Sequence, residues 1–159
     1  MSGLAIDVAT LRSDSERVEL ETDATDLGLE PDAWRDRVRG VFQVEKLGEK
    51  LSIRGSVETT ATLECARCLR DFQYPVRVPL EVLAERSGRA RDADEAQLER
   101  EHDLVFFNGR QVDMGDAARQ ALLVEVPMTP RCREDCRGLC PICGTDRNET
   151  PCACSAGST

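Results

Sequence analysis

Apolar residues occupy every second position over two long stretches of this chain. Leu51, Ile53, Gly55, Val57, Thr59, Ala61 and Leu63 form one series; Phe72, Tyr74, Val76, Val78, Leu80, Val82 and Ala84 form the other. A shorter series, Val38, Gly40, Phe42 and Val44, comes first, and Leu47-Gly48-Glu49-Lys50 reads as the turn after it. Such alternation predicts half-buried antiparallel strands with one face on a core. Pro75 and Pro79 cannot donate to a ladder, so they put the third strand at an edge or break it locally. Residues 4–11 and 17–20 have weaker strand character. Residues 23–37 read as loop with one short helical turn after Pro31, and Trp34 as a core residue.

Residues 86–103 carry no apolar stripe and read as a mobile acidic loop. Leu104 to Phe107 is a short strand, and Asn108-Gly109 is a two-residue hairpin signal. Asp113 then reads as an N-cap, and Met114, Ala117, Ala118, Ala121 and Leu122 share one helical face that ends before Pro127. The order predicts an α+β protein: an antiparallel β-sheet meander, one main helix and a cysteine-rich, zinc-binding C-terminal tail. In domain terms, residues 1–130 form the sheet-plus-helix domain. Residues 131–154 form a segment packed on the hairpin tip at 65–68.

The eight cysteines change the picture. They stand at 65, 68, 132, 136, 140, 143, 152 and 154, in the spacing C-x2-C, then C-x3-C-x3-C-x2-C-x8-C-x-C. The opening segment has no basic start and meets Asp7 early, so it does not read as a signal peptide. That predicts a cytoplasmic protein with reduced thiols, and C-x2-C pairs of reduced thiols point to Zn2+. Cys140-Pro141-Ile142-Cys143-Gly144 is the strongest local motif. Cys140, Cys143, Cys152 and Cys154 would form one site; Cys65, Cys68, Cys132 and Cys136 would form another. Other divisions of the eight remain open, including a single zinc with spare thiols. Sites closed by four protein sulfurs are structural, so no catalytic residue is expected.

Charge and missing motifs narrow the function. The chain has 159 residues and a net charge of −9, which argues against bulk binding of nucleic acid. The acidity avoids the cysteine-bearing stretches, whose basic residues are all arginines. Arg67, Arg70, Arg131, Arg133 and Arg137 either offset thiolate charge or contact RNA phosphates or a partner. The one histidine, His102, lies in the acidic stretch, so neither a Ser-His-Asp triad nor an H-E-x-x-H site can be built. Phosphate-cradling glycine motifs are absent, and no apolar run reaches the ~20 residues of a membrane helix.

Cys65-Ala66-Arg67-Cys68-Leu69-Arg70-Asp71-Phe72 resembles the C-x-R-C-L-x-x-F signature of the YceD family, the bacterial and plastid large ribosomal RNA subunit accumulation proteins. The stretch from Val126-Pro127-Met128 through Cys132 to Gly144, then Asn148 and Cys152-Ala153-Cys154, is similar to the cysteine-bearing branch of that family. The resemblance covers about residues 38–154. Arg147 departs from it, standing where relatives often carry an apolar residue. The resemblance implies a non-enzymatic role in accumulation or processing of large-subunit ribosomal RNA and in ribosome assembly. The implied partner is that RNA, a pre-ribosomal particle or an assembly protein, with no membrane and no small-molecule substrate. Two alternatives compete: a generic zinc-binding interaction module, for instance in transcription, and a thiol redox protein.

Overall fold

The computed structural model describes residues 3–87 and 104–154. The main sheet runs β2 (Ser15–Thr22), β3 (Val38–Leu47), β4 (Lys50–Glu64), β5 (Asp71–Arg86) and β6 (Leu104–Phe107), in that spatial order. The first four strands form an antiparallel meander. A separate two-stranded ladder pairs β1 (Ala5–Asp7) with β7 (Gln111–Asp113), and α1 (Gly115–Glu125) follows.

The alternation translates directly into burial. Leu51, Ile53, Val57 and Ala61 of β4, with Val76, Val78, Val82 and Ala84 of β5, face one core. Met114, Ala118 and Leu122 cover it from the helix side, and Trp34, Leu4 and Ile6 close its flank. Gly55 is required there: a Cβ on it would lie 1.9 Å from the Val41 carbonyl oxygen and 2.9 Å from the buried Phe42 ring.

Several expectations need correction. The sheet is mixed rather than a pure antiparallel meander, because β6 pairs parallel with β5 through Leu83↔Leu104 to Arg86↔Phe107. Asn108-Gly109 does turn the chain, with Gly109 at φ 75°, but it joins two different sheets instead of closing a hairpin. A parallel neighbour needs a crossover of about a dozen residues or more, which the length of the 88–103 stretch supplies. Asp7 ends β1 early by accepting the Ala9 N–H on its carboxylate at 2.9 Å, starting a 3-10 turn over Val8–Thr10. A second 3-10 turn, Ala24–Leu27, precedes the expected one at Pro31.

Pro75 and Pro79 occupy the part of β5 that β6 does not cover, so β5 is an edge there and internal further on. The N-cap of α1 is Met114 rather than Asp113; Asp113 stands one residue before it and accepts the Gly115 N–H at 2.8 Å. The acidic stretch begins later than expected: Arg86 ends β5, stacking 5.1 Å from the Phe107 ring, and Ser87 bonds Asn108. Residues 88–103, with His102, lie outside the described residues.

Candidate metal centres

The β4–β5 hairpin keeps register up to Glu64↔Asp71, so its tip, residues 65–70, is presented at the end of a long rigid ribbon. There the Cys65 N–H donates to the Arg70 carbonyl at 2.8 Å and the Leu69 N–H to the Cys65 carbonyl at 2.9 Å. Leu69 takes φ 60°, the left-handed region that costs an L residue about 1–2 kcal/mol. This path points both Cys65 and Cys68 inward, and both are buried. The tail reaches them because the Ala66 N–H donates to the Pro130 carbonyl at 2.7 Å, pinning the chain just before Cys132.

Cys65, Cys68, Cys132 and Cys136 then converge, with all four sulfurs within 4.8 Å of one another. Cys65 and Cys136 sulfurs lie 3.7 Å apart, as do those of Cys68 and Cys132. A tetrahedral ion with bonds of about 2.3 Å to sulfur sets its ligands about 3.8 Å apart. A disulfide would need about 2.05 Å. The spacing therefore fits a thiolate-bound ion and not a covalent pair.

Cys140, Cys143, Cys152 and Cys154 form the second group, again within 4.8 Å. Its knuckle repeats the first bond for bond. The Cys140 N–H donates to the Thr145 carbonyl at 2.8 Å, the Gly144 N–H donates to the Cys140 carbonyl at 2.9 Å, and Gly144 takes φ 73°. The two groups match the division read from the spacing.

Electrostatics repeats as well. The backbone N–H of Cys68 does most to pull the Cys65 thiol down to about 6, and that of Cys143, then Ile142, does the same for Cys140. The Asn148 amide lowers Cys136, and Thr145 lowers Cys143. Burial pushes Cys132 up to about 12, and the Cys143 sulfur pushes Cys154 up to about 11. Each group thus holds sulfurs that ionise readily beside sulfurs that resist. Either group could hold a metal ion, with no position left open for a substrate if all four sulfurs bind.

The arginines divide by task. Arg67 Nη1 donates to the Cys136 carbonyl at 3.0 Å, and its own carbonyl accepts the Leu139 N–H at 3.2 Å. Gly138, at φ 72°, makes this approach possible, since a Cβ there would lie 3.1 Å from the Arg67 oxygen. Arg70 Nη2 contacts Glu149 Oε1 at 2.5 Å and Asp146 Oδ2 at 2.6 Å, which raises the Arg70 pKa further; the Asn148 backbone N–H, helped by Arg70, holds the Asp146 carboxyl below its usual range. Arg67 and Arg70 therefore fasten the tail to the hairpin tip. Arg131, Arg133 and Arg137 are exposed, and among the described residues Arg133 pairs only with its exposed neighbour Asp135 at 3.5 Å. Arg147 donates from Nη2 to the Arg137 carbonyl at 2.9 Å, so it crosses the linker between the two groups.

Asp146, Asn148 and Glu149 were given no role by sequence reasoning, although all three build this junction. The usable signal was Asp146-x-Asn148, the spacing at which an Asp carboxylate accepts the N–H two residues on; that bond is 2.9 Å.

Comparison with known proteins points one way. The chain is 31% identical over 110 residues to uncharacterized proteins of Mycobacterium tuberculosis and Mycobacterium bovis, covering 69% of this chain and 51% of each relative. An uncharacterized protein of Mycobacterium leprae is 31% identical over 114 residues, covering 70% and 50%. The chain thus spans about half the length of the curated relatives it matches. No solved structure gives a significant match. The family described as "Large ribosomal RNA subunit accumulation protein YceD" matches residues 53–159, a span that contains β4 from Ile53 onward, β5, the helix and all eight cysteines. The chain belongs to the YceD family.

Proposed function

We propose that this protein is a non-enzymatic factor in large-subunit ribosomal RNA accumulation and ribosome assembly, stabilised by two structural zinc ions. The family match over residues 53–159 carries the ribosomal part of this reading. Zinc is the fitting ion because four thiolates at tetrahedral spacing suit a borderline-soft ion with no geometric demand of its own. A closed four-sulfur site supplies folding energy rather than a reactive position, so the zinc-bound region acts as a rigid end piece for recognition. The setting is the cytoplasm, where thiols stay reduced. Among the described residues, no helix is long and apolar enough to cross a membrane.

Large-subunit ribosomal RNA, a precursor particle or an assembly protein docks at the cysteine-bearing end. Arg131, Arg133 and Arg137 are the contact candidates; Arg67 and Arg70 have their guanidiniums engaged internally. The test is co-sedimentation with large-subunit precursor particles. Arg131→Glu, Arg133→Glu and Arg137→Glu combined should abolish it while leaving the melting temperature unchanged. Undiminished sedimentation of that variant refutes the arginine contact, and no association of the parent protein with precursor particles refutes the ribosomal reading. Elemental analysis of protein purified without added zinc should give about two zinc ions per chain.

A further inference from the structure

Asn148 belongs by sequence to the loop between Cys143 and Cys152, yet its side chain serves the other cysteine group. Its Nδ2 lies 3.3 Å from Cys136 Sγ, and its Oδ1 accepts the Arg137 N–H at 2.8 Å. One amide thus grips both the sulfur and the backbone just beyond it. Asp146 sets its orientation: Asp146 Oδ1 accepts the Asn148 backbone N–H at 2.9 Å and Nδ2 at 2.9 Å. Arg70, two residues after Cys68, holds Asp146 from the hairpin side at 2.6 Å.

We propose that Asn148 is a positioning residue that couples the two centres, so that metal in the Cys140/Cys143/Cys152/Cys154 group raises the metal affinity of the Cys65/Cys68/Cys132/Cys136 group. This rests on the reading of both groups as metal sites. Cys143 and Cys152 bracket the loop that carries Asn148. Binding both sulfurs to one ion fixes the loop's ends and so fixes the amide against Cys136. An N–H donated to a ligating sulfur stabilises thiolate, and loss of such outer contacts typically weakens metal binding roughly 10- to 100-fold. The coupling is reciprocal: emptying either group weakens the other by the same factor.

The experiment is competition titration of the full chain with Zn2+, and with Co2+ as an absorbing probe, against a chelator of known affinity. In the parent protein, two equivalents should bind with positive cooperativity. Asn148→Ala should weaken the hairpin group roughly 10- to 100-fold and shift its sulfur-to-Co2+ charge-transfer band to longer wavelength, because an unbonded thiolate is the easier donor. Cys143→Ser with Cys152→Ser should weaken the hairpin group by a similar factor. Adding Asn148→Ala to that pair should then cost almost nothing more, since a shared route is removed only once. Two equivalents binding the Asn148→Ala protein with parent affinity and an unshifted band overturn the coupling alone. Additive losses overturn it as well, showing Asn148 acts independently of the second group. A parent chain that binds no Co2+ or Zn2+ overturns the two-centre reading and the coupling with it.

Discussion

The two cysteine knuckles share one backbone solution and differ in what they fasten. At 65–70 and at 140–145 the same pair of hydrogen bonds closes the loop around a left-handed residue. The hairpin knuckle finds its other two sulfurs in the tail, and Cys65 stands 71 positions from Cys136. The tail knuckle finds its partners within its own stretch, ending at Cys154. Closing the longer loop costs about 1.4 kcal/mol more in chain entropy, scaling with the logarithm of length. That cost is met by burial: three of the four hairpin-group sulfurs are buried, against one in the tail group, where Cys143 is exposed. One motif thus serves as a long-range clamp in the first case and as a local staple in the second.

The strongest way to break this comparison is to remove one sulfur from each. Cys136→Ser should lower the melting temperature by about 10 °C or more, since it releases the tail from the sheet. Cys143→Ser should lower it by less than half as much. Equal losses, read by circular dichroism, would erase the distinction between clamp and staple. Next in size is access: under limiting chelator, alkylation mapped by mass spectrometry should modify Cys143, exposed and readily ionised, well before Cys68, buried and raised. The reverse order would make the tail group the more protected one.

Smaller effects probe the knuckle backbones. Gly144→Ala meets no atom within 4 Å, so its cost of about 1 kcal/mol is pure left-handed strain. Leu69→Gly relieves the same strain at the hairpin knuckle, where the side chain is 57% exposed, and should be neutral or stabilising by up to about 1 kcal/mol. A loss on Leu69→Gly in a melting experiment would mean that the exposed leucine packs on something.

A last effect belongs to the metal-free protein. Cys65 and Cys140, depressed to about 6, add stability that is full above their unfolded value near 9 and lost as pH falls through 6. Cys132 and Cys154, raised to about 12 and about 11, add stability present below 9 and lost as pH rises through those values. Denaturant midpoints should therefore peak near pH 9 without metal. A peak near pH 6 would contradict these assignments.

Much of this was legible in the sequence because periodicity and spacing are local codes. The series from Leu51 to Ala84 gave both long strands and their buried face, and C-x2-C placed the hairpin tip. The partner of β6 was not legible. Leu104–Phe107 is four residues long, and Asn108-Gly109 dictates that the chain turns, not which sheet edge accepts the strand. Asn148 escaped for a related reason. Its target, Cys136, lies 12 positions away and is reached through a tertiary contact that no local spacing encodes.

The long reach of the clamp also sets an order of events. A chain leaves the ribosome from its N-terminus, so β2 to β5 can pair while the tail is still being made. The hairpin tip then holds two inward-facing sulfurs without their partners until Cys136, 71 positions after Cys65, has emerged. The hairpin centre therefore completes late in synthesis, after the helix that covers the core and only when Cys132 and Cys136 have both emerged.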